Sequence, residues 1–225
     1  MGLIGDKAQI ICRNYKPKKF NYFVLSIVKM NSSPIISNIS QVVHLDEDES
    51  AYLESVLIPR PFKQGELIVK AGDAARYMMF VNAGYIMSYY TDKKGEDHVM
   101  QFAAGGWWCG DIYSLSQNPV TIYSTQALSD GELLLLPRSA QSSLFEKYSK
   151  FERYFRITFQ NSVIRHQLRF IEGYSTTAEE RYQKFIATYP DMEQYVAQKY
   201  IASYLGITPE FLSKIRNKAA KKILT

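Results

Sequence analysis

The chain has little cysteine: Cys12 and Cys109 are the only two in 225 residues. That scarcity excludes a disulfide framework as the organising device. It also excludes a four-cysteine zinc or iron–sulfur site built from this chain alone. Long apolar runs are missing too. The longest, Phe20–Val28, contains Asn21 and Ser26 and falls short of the ~17–25 residues a membrane helix needs. Lys16, Lys18 and Lys19 precede it in the manner of a signal peptide, but Lys29-Met30-Asn31 follows where a small-residue cleavage site would stand. The expectation is a cytoplasmic protein with no membrane partner, with Met30 a candidate start and the first 29 residues an upstream extension. There is no Walker A, G-x-S-x-G, G-x-G-x-x-G or H-E-x-x-H sequence, so no enzyme is expected. No metal site is expected either. His44, His98 and His166 are the only histidines on which a haem could be hung. His166 reads better as a packed core residue, and Cys109, between Trp108 and Gly110, as a small buried hydrophobe.

What the chain does have is apolar and aromatic bulk. The apolar share is 46% and the aromatic share 14%, with seventeen Tyr and twelve Phe, which argues for a packed globular chain over a disordered one. The net charge of +5 is carried by the two ends. Residues 1–30 hold six Lys/Arg against one acid, and residues 211–225 hold five against none, so the body between is net acidic. A basic terminus on an acidic body is the pattern of a nucleic-acid-contacting tail, and equally that of a solvated end.

Along the chain, residues 1–41 read as an irregular arm. His44–Ser55 reads as a short helix stopped by Pro59 and Pro61. From Phe62 to Pro137, short β-rich runs (Leu67–Val69, Tyr77–Val81, Tyr85–Tyr90, His98–Phe102, Thr121–Ala127, Leu133–Leu136) alternate with glycine turns. Strands at that spacing predict a barrel or sandwich. Phe151, Phe155, Phe159, Val163, His166 and Phe170 recur every three or four residues on one face of a long helix. Ile157, Ile164 and Leu168 make its other side apolar as well, so the helix is expected to be covered on both sides, by its own domain or by a second copy. Gly173 is expected to break it. Thr177–Tyr189 follows as a helix, stopped by Pro190.

The segment Gln198–Arg216 reads as a helix–turn–helix. Gly206 suits the positive-φ turn. Thr208 suits an N-cap, Pro209 the first helical position and Glu210 the positive end of the dipole. Ile201, Leu205, Ile207, Leu212 and Ile215 would form its core, leaving Pro209, Glu210, Ser213, Lys214 and Asn217 outward. In a DNA-binding motif of this kind the start of the second helix reads base edges. Glu210, Ser213 and Lys214 carry the chemistry for that, while Arg216, Lys218, Lys221 and Lys222 suit phosphates. Lys199, Thr208, Pro209 and Asn217 complete the candidate interface.

Phe62-Lys63-Gln64-Gly65-Glu66-Leu67-Ile68-Val69-Lys70-Ala71-Gly72-Asp73, followed by Tyr77-Met78-Met79-Phe80-Val81-Asn82-Ala83-Gly84, resembles the glycine-punctuated signature of the cyclic-nucleotide-binding β-roll. With the long helix and helix–turn–helix behind it, the chain from about residue 42 resembles the CRP/FNR superfamily of bacterial transcription regulators. The resemblance implies an α+β fold: an N-terminal double-stranded β-helix (β-roll or jelly roll) sensor over 42–145, a long dimerisation helix over 146–172, and a winged helix–turn–helix-like DNA-binding domain over 173–225. It implies a homodimer reading a two-fold-symmetric site, with double-stranded DNA, a second copy and RNA polymerase as partners. The alternative is a ligand-binding or protein-interaction module that reads no DNA sequence.

The family's phosphate-binding cassette begins Gly-Glu-Leu and ends in Arg-Ser/Thr-Ala. Here it begins Gly110-Asp111-Ile112, and an ungapped comparison sets Thr121 at the arginine, Ile122 at the hydroxyl residue and Tyr123 at the small residue. Thr121 cannot hold a phosphate as an arginine fork does, and no Lys or Arg lies between Lys94 and Arg138. The candidate pocket is Trp108, Gly110, Asp111, Ile112, Tyr113, Thr121, Ile122 and Tyr123, with Trp107 beside it and Ser114–Pro119 as the cassette loop. Cyclic AMP is not the expected effector. A less charged ligand, or none, fits better, and no cofactor is assigned.

Overall fold

The computed structural model describes residues 33–117 and 120–223. The expectations for residues 1–32, a candidate start at Met30 included, lie outside the described residues. Within the described part, Pro34–Ile39 forms a helix (α1) rather than irregular arm. Proline starts it, and Ile35 and Ile39, four apart on one face, are both completely buried. Asn38 fastens it, donating to the Gly106 carbonyl at 2.8 Å and accepting from the Tyr154 hydroxyl at 2.5 Å. The helix α2 (Glu47–Val56) follows, started by a reciprocal capping box between Asp46 and Glu49.

Eight strands then make two four-stranded antiparallel sheets. They are β1 (Ile58–Phe62), β2 (Leu67–Val69), β3 (Tyr77–Ala83), β4 (Tyr85–Thr91), β5 (Asp97–Ala104), β6 (Trp108–Cys109), β7 (Ser124–Ala127) and β8 (Gly131–Pro137). One sheet has the order β1-β8-β3-β6 and the other β2-β7-β4-β5. Two strands were not legible in the sequence. β1 carries Pro59 and Pro61, which argue against a strand, but it lies at a sheet edge and pairs with β8 alone, where proline is tolerated. β6 is only two residues long.

Leu133–Leu136 is buried on both faces of β8. Leu133 and Leu135 fill the roll interior with Phe62, Ile86 and Ala103. Leu134 and Leu136 point the other way, against α1, α2 and the long helix, as the two-residue strand period requires. Gly131 permits the close approach this needs, because a Cβ there would lie 2.2 Å from the Ala83 carbonyl oxygen.

After α3 (Ile112–Ser116) and α4 (Arg138–Lys147), α5 runs from Ser149 to Ser175. It passes through Gly173 without a break. A glycine in an exposed turn lowers helix stability by only about 1 kcal/mol, and the stop comes where Thr177 caps the next helix with its own capping box to Glu180. Phe151 and Phe155 are fully buried in the chain's own core, which removes them from the face expected to meet a second copy. Phe159 is half-buried against that core. Val163 and Phe170 are exposed, as are Ile164, Ile171 and Tyr174.

The C-terminal part is α6 (Ala178–Thr188), a short 3-10 turn at Met192–Gln194, α7 (Gln198–Leu205) and α8 (Pro209–Ile223). The wing expected with it is not among the described residues, which hold no strand after β8. Among the described residues no helix is long and apolar enough to cross a membrane.

Candidate functional site

The turn of the helix–turn–helix is built as its residue types require. Gly206 sits at φ 67° and its N–H bonds back to α7, a left-handed cap that only glycine adopts without strain. Thr208 Oγ1 accepts from the Phe211 N–H at 3.3 Å, capping α8. Ile201, Leu205, Leu212 and Ile215 are buried between the helices, and Ile207 packs against them. Thr208, Pro209, Glu210, Ser213, Lys214 and Asn217 are exposed at the start of α8. Hydrogen bonds from its own backbone N–H and from Thr208 hold the Glu210 carboxyl below its usual range. Lys199 is exposed and lies 4.6 Å over the Tyr200 ring. Two residues expected to meet phosphates are engaged within the chain: Lys218 pairs with Glu179 at 2.7 Å and Arg216 with Glu193 at 3.3 Å.

The cassette is assembled around Asp111. Its carboxylate accepts from Ser114 N (3.1 Å), Ser114 Oγ (2.6 Å), Thr121 Oγ1 (3.0 Å) and Ile122 N (3.0 Å). Burial by itself would raise its pKa, but the hydrogen bonds from Ser114, Ile122 and Thr121 together outweigh it and hold the carboxyl below its usual range. Three of the residues aligned with the family's phosphate cassette therefore converge on one another: Thr121 and Ile122 donate to an anion the chain supplies itself. This also corrects two local expectations. Thr121–Tyr123 is not strand, since β7 begins only at Ser124. The loop from Ser114 is helical as far as Ser116, because Asp111 caps α3. Ile122 and Tyr113 are exposed, as is Ile112. Burial raises the Tyr123 hydroxyl above its usual value, reinforced by Asp111 and opposed by Arg169.

Trp108 departs from the expected pocket. Its indole donates to the Tyr154 hydroxyl at 2.7 Å and packs on Phe80 and Phe155, in the core beneath the long helix. Cys109 is buried as expected, and burial pushes its thiol up to about 12. His98 pairs with Asp92 at 3.0 Å on the exposed β4–β5 hairpin, where Glu96 also lies near enough to share an ion. Asp92 is already engaged by the backbone N–H groups of Lys94 and Glu96 that close the turn. His166 is exposed rather than packed in the core.

One arrangement had no signal in the sequence. α7 lies on β5: Ser203 Oγ accepts from Val99 N and donates to the Asp97 carbonyl, both at 3.0 Å. Phe102 of β5 sits in a ring cluster with Phe185, Tyr189 and Tyr204. Arg169 of the long helix donates to the Met100 carbonyl at 2.6 Å and covers the Tyr204 ring at 4.8 Å. β-roll, long helix and helix–turn–helix thus share one packed junction.

Comparison with known proteins agrees with this architecture. Residues 59–148 match the cyclic nucleotide-binding domain family. The anaerobic regulatory protein of Pasteurella multocida is 24% identical over 192 residues, covering 79% of this chain and 68% of that one. Among solved structures, FixK2 from Bradyrhizobium japonicum superposes with a TM-score of 0.62 at 20% identity, over 74% of this chain and 86% of its own. A Eubacterium rectale protein assigned to the CRP/FNR family of transcriptional regulators gives 0.61 at 14% identity, over 79% and 85%. The chain thus carries a match to the cyclic nucleotide-binding domain family over residues 59–148 and shares its fold with these two solved proteins.

Proposed function

We propose that the chain acts as a homodimer that reads a two-fold-symmetric DNA site, through a sensor not tuned for cyclic AMP. The observation that carries the DNA reading is the start of α8, where Glu210, Ser213, Lys214 and Asn217 stand exposed on a helix held rigid by the Gly206 turn and the Thr208 cap. Those side chains offer acceptors and donors suited to base edges in the major groove. Lys199 and the basic end of the chain suit the phosphates on either side.

The second copy is supported by Val163, Ile164, Phe170, Ile171 and Tyr174, which leave the later half of α5 apolar and exposed. A two-fold axis along that helix would cover them and pair the recognition helices. RNA polymerase is the partner such a regulator addresses, and the cytoplasm its setting. The cassette supports an effector other than cyclic AMP, because the donors that would face a phosphate already serve Asp111, and a phosphate placed there would meet a carboxylate with no arginine between them.

The test is selection of bound sequences from a random DNA pool, with and without cyclic AMP. A palindromic motif recovered equally in both arms is the expected result. A motif that requires cyclic AMP would refute the sensor reading. If no motif emerges and bulk DNA binding does not fall steeply with salt, the DNA reading itself fails.

A further inference from the structure

Phe211 departs from the rule that orders its neighbours in the helix–turn–helix. Ile201, Leu205, Leu212 and Ile215 are buried between the helices, whereas Phe211 is 48% exposed. Its backbone is fixed all the same, because its N–H is the one that the Thr208 hydroxyl caps, at 3.3 Å. A large apolar side chain is thus held exposed in the first turn of α8. We propose, on the strength of the DNA reading above on which this rests, that Phe211 contacts the 5-methyl group of a thymine in the major groove, and so selects sites with a thymine at one fixed position of each half-site.

The place of Phe211 on the helix carries this. Leu212 and Ile215 mark the face that α8 turns to the core, and Glu210, Ser213, Lys214 and Asn217 mark the opposite, exposed face. Helical spacing sets Phe211 between the two, beside Lys214 three residues further on. The ring therefore flanks the polar groups suited to base edges and does not share the core. The start of the second helix is the part of such a motif that reaches base edges. Glu210 offers an acceptor there and Lys214 a donor, but a phenyl ring offers neither. The apolar feature that the major groove presents is the thymine methyl, and apolar contact is how it is read.

The surroundings of the ring suit DNA over a protein partner. Lys214 is exposed and, among the described residues, forms no ion pair with a carboxylate. A cation beside an exposed ring matches a surface that carries a methyl group and phosphates together. Contact with the methyl would also remove from water apolar surface that the free chain leaves wet.

The experiment uses the full chain and a site taken from the random-pool selection. Each thymine is replaced in turn by deoxyuridine, which removes the methyl group and leaves the hydrogen-bonding groups of the base in place. One position per half-site is expected to respond, with affinity falling about fourfold, the value of burying one methyl-sized group. Phe211→Ala, with its fold checked by circular dichroism, is expected to weaken the thymine site by at least that factor and to bind the deoxyuridine site equally well. Phe211→Leu keeps an apolar side chain and is expected to retain the preference for thymine. A selected site in which every thymine tolerates deoxyuridine would overturn the proposal and leave the DNA reading standing. So would a preference that survives Phe211→Ala, or a selected half-site without thymine. If the chain selects no motif at all, the DNA reading fails and the thymine contact falls with it.

Discussion

Replacing Asp111 with alanine isolates the feature that sets this cassette apart. The carboxylate caps α3, and losing an N-cap costs about 1 kcal/mol. The Ile122 N–H and the Ser114 hydroxyl lose their acceptor, and Ser114 is fully buried. A buried donor left without a partner costs ~1–3 kcal/mol. Thr121 fares better, because its hydroxyl can turn to the Tyr123 carbonyl at 3.2 Å. Water entering the space vacated by the carboxylate offsets part of the loss, so the low end applies and the total is about 3 kcal/mol at pH 7. Urea unfolding of the two proteins measures it. The pH dependence carries the sign: the carboxyl is held below its usual range in the folded chain, so its contribution is present above the unfolded value of about 3.9 and lost as pH falls through the folded one. The difference between the two proteins should begin to narrow only below about pH 4 and close further as pH falls through the folded value. A difference under about 0.5 kcal/mol at pH 7 would mean that the four hydrogen bonds are not made. A difference that grows on acidification would mean that Asp111 is not held as the anion.

Lys214→Ala should reduce binding to a selected DNA site more than binding to random duplex; equal losses on both would reduce Lys214 to a phosphate contact. Val163→Asp combined with Phe170→Asp should yield a monomer in sedimentation with the fold intact by circular dichroism, because both side chains are exposed in the single chain; a variant that stays dimeric would move the interface elsewhere. With Cys12 replaced by Ser, Cys109 should resist a thiol reagent at pH 8 under native conditions and react on unfolding, since burial pushes its thiol up to about 12; rapid native labelling would show that β6 opens.

The local pieces were legible because each has a cause within a few residues. Gly206, Thr208 and Pro209 specify a turn, a cap and a first helical position regardless of what surrounds them. Glycine turns between short apolar runs likewise reported most of the strands. Most of the misses were decided by neighbours distant in sequence. Pro59 and Pro61 argued against a strand, yet β1 needs only one partner. Gly173 looked like a stop, yet the solvated end of α5 tolerates it. Trp108 stood beside the cassette in sequence, yet the alternation of β6 turns it into the core under Tyr154.

The sequence by itself therefore determined the order of parts, a β-roll, a long helix and a helix–turn–helix, and the absence of the cassette arginine. These follow from periodicity, turn chemistry and side-chain identity. The tertiary structure decided what takes the place of that arginine. Asp111 meets Thr121 and Ile122 only because the roll folds the cassette back on itself, and Arg165 and Arg169 reach the β-roll only because α5 crosses β5. It also decided which half of the helical stripe is spent on the chain's own core, with Phe151 and Phe155 buried and Val163 and Phe170 exposed. A period of 3.6 residues tells which side chains share a face, but what covers that face depends on where the rest of the chain comes to lie.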